Sequence, residues 1–67
     1  MRTQRHRITV SGVLNEDERE AFGDFDIETT GGYTVLIGKL DQPILFSVRN
    51  RLRTLGLAIV DLSVQAS

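Results

Sequence analysis

The 67-residue chain contains no cysteine, which excludes a disulfide framework and a thiolate metal site. It has one histidine, so no two imidazoles of the same chain can share a metal ion. Small proteins usually need disulfides or metal sites for stability, because a chain of this length buries only about 60% of the surface that its unfolded form exposes. We therefore expect additional apolar burial to come from association with a second copy or with a protein partner.

Long apolar runs are also missing, since no stretch approaches the 18 residues of a transmembrane helix. The basic residues 1–7 are not followed by the apolar segment of a signal peptide. These absences predict a cytoplasmic protein that makes no contact with a membrane. The formal net charge is −1, which provides no general attraction for nucleic acid.

A pair of glycines, Gly31 and Gly32, separates two strand-like runs, residues 25–30 and 33–40. Two-residue hairpin turns of type I′ or II′ need positive φ angles, which glycine adopts at no steric cost. Acidic and apolar residues alternate in the first run, as is typical of an edge strand with one solvated face. The second run is apolar on both faces, which favours a central strand.

One helix is predicted before this hairpin in the sequence and another after it. Asn15 and Glu18 have the spacing of a capping box, and Gly23 is the expected stop of a helix of about two turns. The second helix begins near Pro43 and ends before Gly56. Its apolar stripe consists of Leu45, Val48, Leu52 and Leu55, and we expect Ile44 and Phe46 to widen that stripe or pack against its start.

Strands over residues 7–14 and 57–64 complete the order β-α-β-β-α-β. This order predicts an α+β fold, a ferredoxin-like βαββαβ sandwich whose four-stranded antiparallel sheet carries both helices on one face. The first and third strands are expected in the centre, and the second and fourth at the edges. The predicted organisation is a flexible basic arm over residues 1–6, one domain over 7–64 and a tail over 65–67.

Residues 32–42 read G-Y-T-V-L-I-G-K-L-D-Q, and the amphipathic helix after them ends in L-G-L at residues 55–57. Over residues 7–64 this pattern resembles a group of small actinobacterial proteins. The motifs of that group are structural, so the resemblance implies no catalytic residue. The architecture also resembles ACT-type regulatory domains, which implies small-ligand sites at loops and interfaces.

No residue pattern predicts a catalytic site, a cofactor or a metal centre. His6 reads as a surface residue, because neither a second histidine nor a cysteine accompanies it. The acidic residues Asp24, Asp26 and Glu28 share one strand face at a spacing of two, within reach of a hard cation, but a solvated edge explains them as well. The serines have no histidine in their own or neighbouring elements, so an enzyme is not favoured.

Binding to nucleic acid is not expected either. Ferredoxin-like sheets bind RNA through aromatic side chains on their central strands, where this chain has Tyr33 alone. The acidic edge strand would also repel phosphates. Arg49, Arg51 and Arg53 could contribute to a basic patch, but solubility alone accounts for them.

The function that remains is a small non-enzymatic interaction module that self-associates as a dimer or binds a protein partner. Apolar residues on the open sheet face predict an interface. Its candidate residues are Thr9, Ser11, Val35, Ile37, Ile59 and Asp61. The edge of the fourth strand, whose one charge is Asp61, is the other candidate surface. Two alternatives stay open: an ACT-like regulatory domain with a small-molecule site at the dimer interface, and a small enzyme or auxiliary protein whose pocket forms in the dimer.

Overall fold

A computed structural model of the chain describes residues 3–65. The elements are β1 (Gln4–Ser11), α1 (Glu16–Ala21), β2 (Asp26–Thr30), β3 (Tyr33–Leu40), α2 (Gln42–Thr54) and β4 (Ile59–Gln65). The element order is the predicted one. None of the helices within this part of the chain is long and apolar enough to cross a membrane.

The four strands form one antiparallel sheet in the order β2-β3-β1-β4. The sequence-based placement of β1 and β3 in the centre and of β2 and β4 at the edges is therefore confirmed. Both helices are crossovers: α1 leads from β1 to β2, and α2 leads from β3 to β4. Consequently β4 pairs with β1 along one of its edges, and no strand of residues 3–65 lies beside the other edge.

The hairpin between β2 and β3 closes through Gly31 and Gly32, which have φ angles of 55° and 81°. Thr30 and Tyr33 are the last paired residues before this turn. Two successive positive φ angles are those of a type I′ turn, whose twist matches that of the flanking strands. The predicted two-residue turn is thus confirmed.

The core lies on one face of the sheet. At its centre Ile8 of β1 stands opposite Leu36 of β3, and both side chains are fully buried. Leu45, Val48 and Leu52 of α2 pack into the same cluster as predicted, whereas Leu55, the fourth residue of the predicted stripe, is exposed. Phe22 and Leu14 complete the cluster from the α1 side. Both helical segments therefore cover the same sheet face and leave the opposite face open.

The helix ends follow the capping signals of the sequence. The Asn15 side chain accepts a hydrogen bond of 2.8 Å from the Glu18 amide, and the Glu18 carboxylate accepts one of 2.9 Å from the Asn15 amide. This reciprocal pair is a capping box. In α2, which begins one residue before Pro43, Asp41 caps the N-terminus by accepting a bond of 2.9 Å from the Ile44 amide.

The first strand begins three residues earlier than the sequence predicted. Gln4, Arg5 and His6 pair with β3, opposite Leu40, Lys39 and Gly38. Residues 4–6 therefore belong to the sheet and not to a flexible arm, and His6 is buried at 3% exposure instead of lying on the surface. β3 pairs with all three of these residues and β4 with Arg5 and His6, and this backbone pairing makes the polar sequence compatible with a central strand.

The predicted ends of the domain need one further correction. Gln65, expected in the tail, is the last residue of β4 and stands opposite Arg5. The remaining parts of the predicted arm and tail, residues 1–2 and 66–67, lie outside the described residues.

Candidate interaction surface

The register of the strands places most of the predicted interface residues together on the open sheet face. Asp61, Thr9 and Val35 form one row across β4, β1 and β3. Ile37 lies in the next row, opposite Arg7. Ser11, opposite Tyr33 at the end of β1, shares this face with them.

This open face has less exposed apolar surface than the sequence suggested. Val35 is buried at 3% exposure, and Ile37 and Thr9 are half-buried. Exposed polar and charged side chains occupy much of the remaining area: Arg5, Arg7 and Lys39 on the central strands, and Asp26, Glu28, Asp61 and Ser63 on the edges. These charged side chains are well solvated, and they leave only a small apolar patch on the open face. An apolar patch was the reason for predicting an interface on this face.

The sixth predicted residue, Ile59, does not lie on the open face. A bulge shifts the register between β1 and β4, so that Asp61 stands opposite Thr9 and Ile59 stands opposite Val10. Val60 is the extra residue. Ile59 consequently packs against the core cluster. Strict alternation of side chains along β4 predicts that Ile59 lies on the open face. This prediction is wrong because the inserted residue moves Ile59 to the helix-bearing side.

Three of the eight large apolar side chains that are exposed on residues 3–65 lie instead along β4. Val60, Leu62 and Val64 are 53%, 38% and 52% exposed. Leu62 stands opposite Ile8 and Val64 opposite His6, so both are on the helix-bearing side of the sheet. Their exposure shows that α2 does not extend over this edge. We call Val60, Leu62 and Val64 the β4 strip.

A groove lies between α2 and residues 56–59, beside the start of β4. Phe46, at 67% exposure, is the most exposed large apolar side chain on the described chain, and it lines this groove together with Leu57 and Ile59. The groove has a volume of about 540 Å³. Arg49 and Arg53 also line it. The expectation that Phe46 widens the buried stripe of α2 is therefore wrong, since its side chain points away from the core.

The other three candidate features of the sequence remain apart from this groove. Asp26 and Glu28 are exposed on β2, at the opposite edge of the sheet. No group of three histidine, cysteine, aspartate or glutamate side chains within residues 3–65 is arranged to bind a metal ion. His6 is buried, and its Nδ1 lies 2.8 Å from the carbonyl oxygen of Gln4. Arg51 lies on the side of α2 that faces α1, away from Arg49 and Arg53.

A comparison with protein families finds a match over residues 5–63 to the family described as a domain of unknown function, DUF8691. The chain belongs to this family. No curated protein and no solved structure matches it. The match begins within β1 and ends within β4, so it covers most of these two strands and all of β2, β3 and both helices.

Proposed function

We propose that this DUF8691 domain is a small non-enzymatic interaction module of ferredoxin-like type that self-associates through the edge of β4. The observation that carries the proposal is the β4 strip, three exposed apolar side chains on a strand at the edge of the described sheet. An edge strand of this kind usually carries charges or bulges that prevent pairing with another chain. Here the strand has one charged residue, Asp61, whose side chain lies on the open face, and its one bulge, at Val60, leaves residues 61–65 regularly paired with β1.

A second copy fits this edge by its own symmetry. Two β4 strands related by a twofold axis perpendicular to the sheet run antiparallel, and their free backbone groups can complete one eight-stranded sheet. With the axis at Leu62, Val60 of each copy stands opposite Val64 of the other. The two β4 strips then join into one apolar row on the helix-bearing side. In each copy Phe46 of α2 lines the groove at the start of β4, and association along this edge would bury part of its exposed ring.

The charges of the two edges favour β4 over β2 as the pairing edge. Asp26 and Glu28 are exposed on β2, and a twofold pairing of β2 with itself would bring carboxylates of the two copies close together. Like charges that face each other across a strand pair are destabilising. The β4 edge has no such repulsion, because its pairing places Asp61 opposite Ser63 of the second copy.

The experiment is sedimentation velocity of the purified chain from low to high micromolar concentration. We expect the wild-type protein to shift from monomer to dimer, and Val64→Lys and Val60→Lys to remain monomeric. Val13→Lys is the matched control: Val13 is 56% exposed, close to the 53% of Val60, but it lies in the loop after β1. A wild-type monomer at high concentration, or dimers of both β4 variants, would refute the proposal.

The same measurement distinguishes a dimer interface at the β4 edge from one on the open sheet face. Ile37→Asp introduces a charge at the centre of the open face, next to Arg7 and Asp26 in its row. If the dimer forms through β4, this variant still dimerises. Loss of the dimer in Ile37→Asp, with Val64→Lys unaffected, would move the interface to the open face.

A second candidate function is an ACT-like regulatory domain with a small-molecule site at the dimer interface. The groove beside β4 supports it, because the groove would lie next to the interface and has room for a small ligand. Thermal-shift screening of amino acids and nucleotides tests this function, since a ligand of the folded state raises the melting temperature. A ligand whose effect disappears in Arg49→Gln and Arg53→Gln would support it, and no shift from any compound would count against it.

A further inference from the structure

A second concavity lies on the other side of α2, between this helix and the turn that connects α1 to β2. It has a volume of about 320 Å³. Phe22 and Val48, both buried, form part of its lining, and Phe25 and Ile44 add apolar surface. We call this concavity the Arg51 cleft. Its size is at the lower end of the range for small-molecule sites in proteins.

The one cationic side chain in the lining of the cleft is Arg51, an exposed residue that contacts both Phe22 and the end of α1. Its guanidinium carbon lies 5.8 Å from the centre of the Phe22 ring, which is a cation–π distance. One of its terminal nitrogens, Nη1, donates a hydrogen bond of 3.3 Å to the carbonyl oxygen of Ala21, the last residue of α1. A guanidinium has five N–H donors, and within residues 3–65 Ala21 is its one hydrogen-bond partner. The side chain is therefore oriented while most of its donors remain available.

Ser47 lies one helical turn before Arg51 and also lines the cleft. Residues four positions apart on a helix share one face, so the Ser47 hydroxyl and the Arg51 guanidinium present polar groups on the same wall. The opposite wall is Phe25, whose ring packs edge-on against Phe22 with 6.1 Å between the ring centres. The cleft thus combines one fixed cation with an aromatic wall.

We propose that the Arg51 cleft binds a small monocarboxylate with a compact apolar body. The carboxylate accepts hydrogen bonds from the free guanidinium donors, with the planar geometry that such pairs prefer. The apolar body lies between Phe25, Ile44 and Val48. Asp24 also lines the cleft and is exposed, and its negative charge repels carboxylates, so the ligand carboxylate must lie at Arg51 and a second carboxylate is disfavoured further. The proposal is independent of self-association, because the cleft lies on the side of α2 that faces away from β4.

The test is a titration of the full ¹⁵N-labelled chain with phenylacetate, followed by amide chemical shifts, with phenylacetamide as the uncharged control. For a ligand of this size we expect a dissociation constant on the order of 1 mM. The shifts should be confined to residues around the cleft, and phenylacetamide should bind at least about 10-fold more weakly, as expected when a charge-assisted hydrogen bond is lost. Equal binding of the two compounds would overturn the choice of a carboxylate.

Two variants locate the site. Arg51→Gln removes the cation and should weaken binding of phenylacetate about 10-fold, whereas Arg53→Gln, on the β4 side of the same helix, should leave it unchanged. Ile44→Glu adds a negative charge to the cleft from a residue that is 46% exposed, so it should abolish binding without unfolding the chain. If Arg51→Gln fails to fold, Ile44→Glu decides the question. Retained affinity in Ile44→Glu, or shifts centred away from the cleft, would overturn the proposal.

Discussion

The hydroxyl of Thr34 donates a hydrogen bond of 2.7 Å to the carbonyl oxygen of Gly12, from a position on β3 that is completely buried. Gly12 follows β1 with a φ angle of 106°, in the region that favours glycine. Its amide in turn donates a bond of 2.8 Å to the carbonyl oxygen of Gly32 in the hairpin turn. These two bonds attach the end of β1 to the hairpin, so the first loop and the β2–β3 turn support each other.

Thr34→Val should destabilise the protein although valine has nearly the same shape. It removes the donor and leaves the Gly12 carbonyl without its partner, which costs about 1–3 kcal/mol for a buried group. Urea unfolding followed by circular dichroism measures this change. Thr34→Ser keeps the hydroxyl and removes one methyl group, so it should cost about 0.8 kcal/mol. A Thr34→Val variant as stable as the wild type would show that the bond contributes nothing to stability.

The two turn glycines should respond differently to substitution. Gly31 has a φ angle of 55°, which asparagine tolerates at the first central position of a type I′ turn, and a Cβ added there would meet no atom within 4 Å beyond its chain neighbours. Gly31→Asn should therefore be neutral or stabilising by up to about 0.5 kcal/mol. Gly32→Val should cost about 1–2 kcal/mol, because a β-branched residue is strained at positive φ. Thermal unfolding tests both, and a Gly31→Asn variant less stable than Gly32→Val would contradict the turn type.

Local signals in the sequence were sufficient for much of the fold. The glycine pair, Asn15 with Glu18, and Pro43 each act within four residues, and the structure has the predicted turn, the capping box and a helix start next to Pro43. Gly56 also ends α2 as predicted, with a φ angle of 77°. The amides of Gly56 and Leu57 bond to the carbonyls of Arg53 and Leu52, as in a Schellman motif.

Features that depend on distant parts of the chain were not predictable in the same way. Gln4 and Arg5 look like an arm in the sequence, and only their pairing with β3 and β4 makes them a strand. The bulge at Val60 arises between two strands, so alternation along β4 alone assigned Ile59 to the wrong face. Phe46 is exposed because its position on α2 faces the groove and not the core cluster, and the helical pattern alone did not settle which side it faces. From the sequence, the interaction surface could therefore be narrowed to two alternatives, the open sheet face and the edge of β4. The choice between them depended on the structure.

Gly38 should resist substitution because of Phe25. A Cβ added at Gly38 would lie 2.8 Å from Cδ1 and 3.0 Å from Cε1 of the Phe25 ring. Gly38→Ala should therefore displace the ring and cost about 1–3 kcal/mol, the usual effect of overpacking. Phe25→Leu alone loses apolar contact, but the double variant should be more stable than the sum of the two single changes predicts. A double-mutant cycle by chemical denaturation measures this coupling, and strict additivity would contradict the close approach.

Phe46 offers a final prediction that separates the stability of the single chain from self-association. Because the ring is 67% exposed, Phe46→Ser should change the unfolding free energy of the monomer by less than about 0.5 kcal/mol at low concentration. A dimer makes the melting temperature rise with protein concentration, since association stabilises the folded state. We expect this rise in the wild type and its loss in Phe46→Ser. Ile44→Ser is the control, because Ile44 is 46% exposed on the other side of α2 and should keep the concentration dependence. If Phe46→Ser melts with the same concentration dependence as the wild type, α2 takes no part in the interface, and the contact would be limited to the β4 strip.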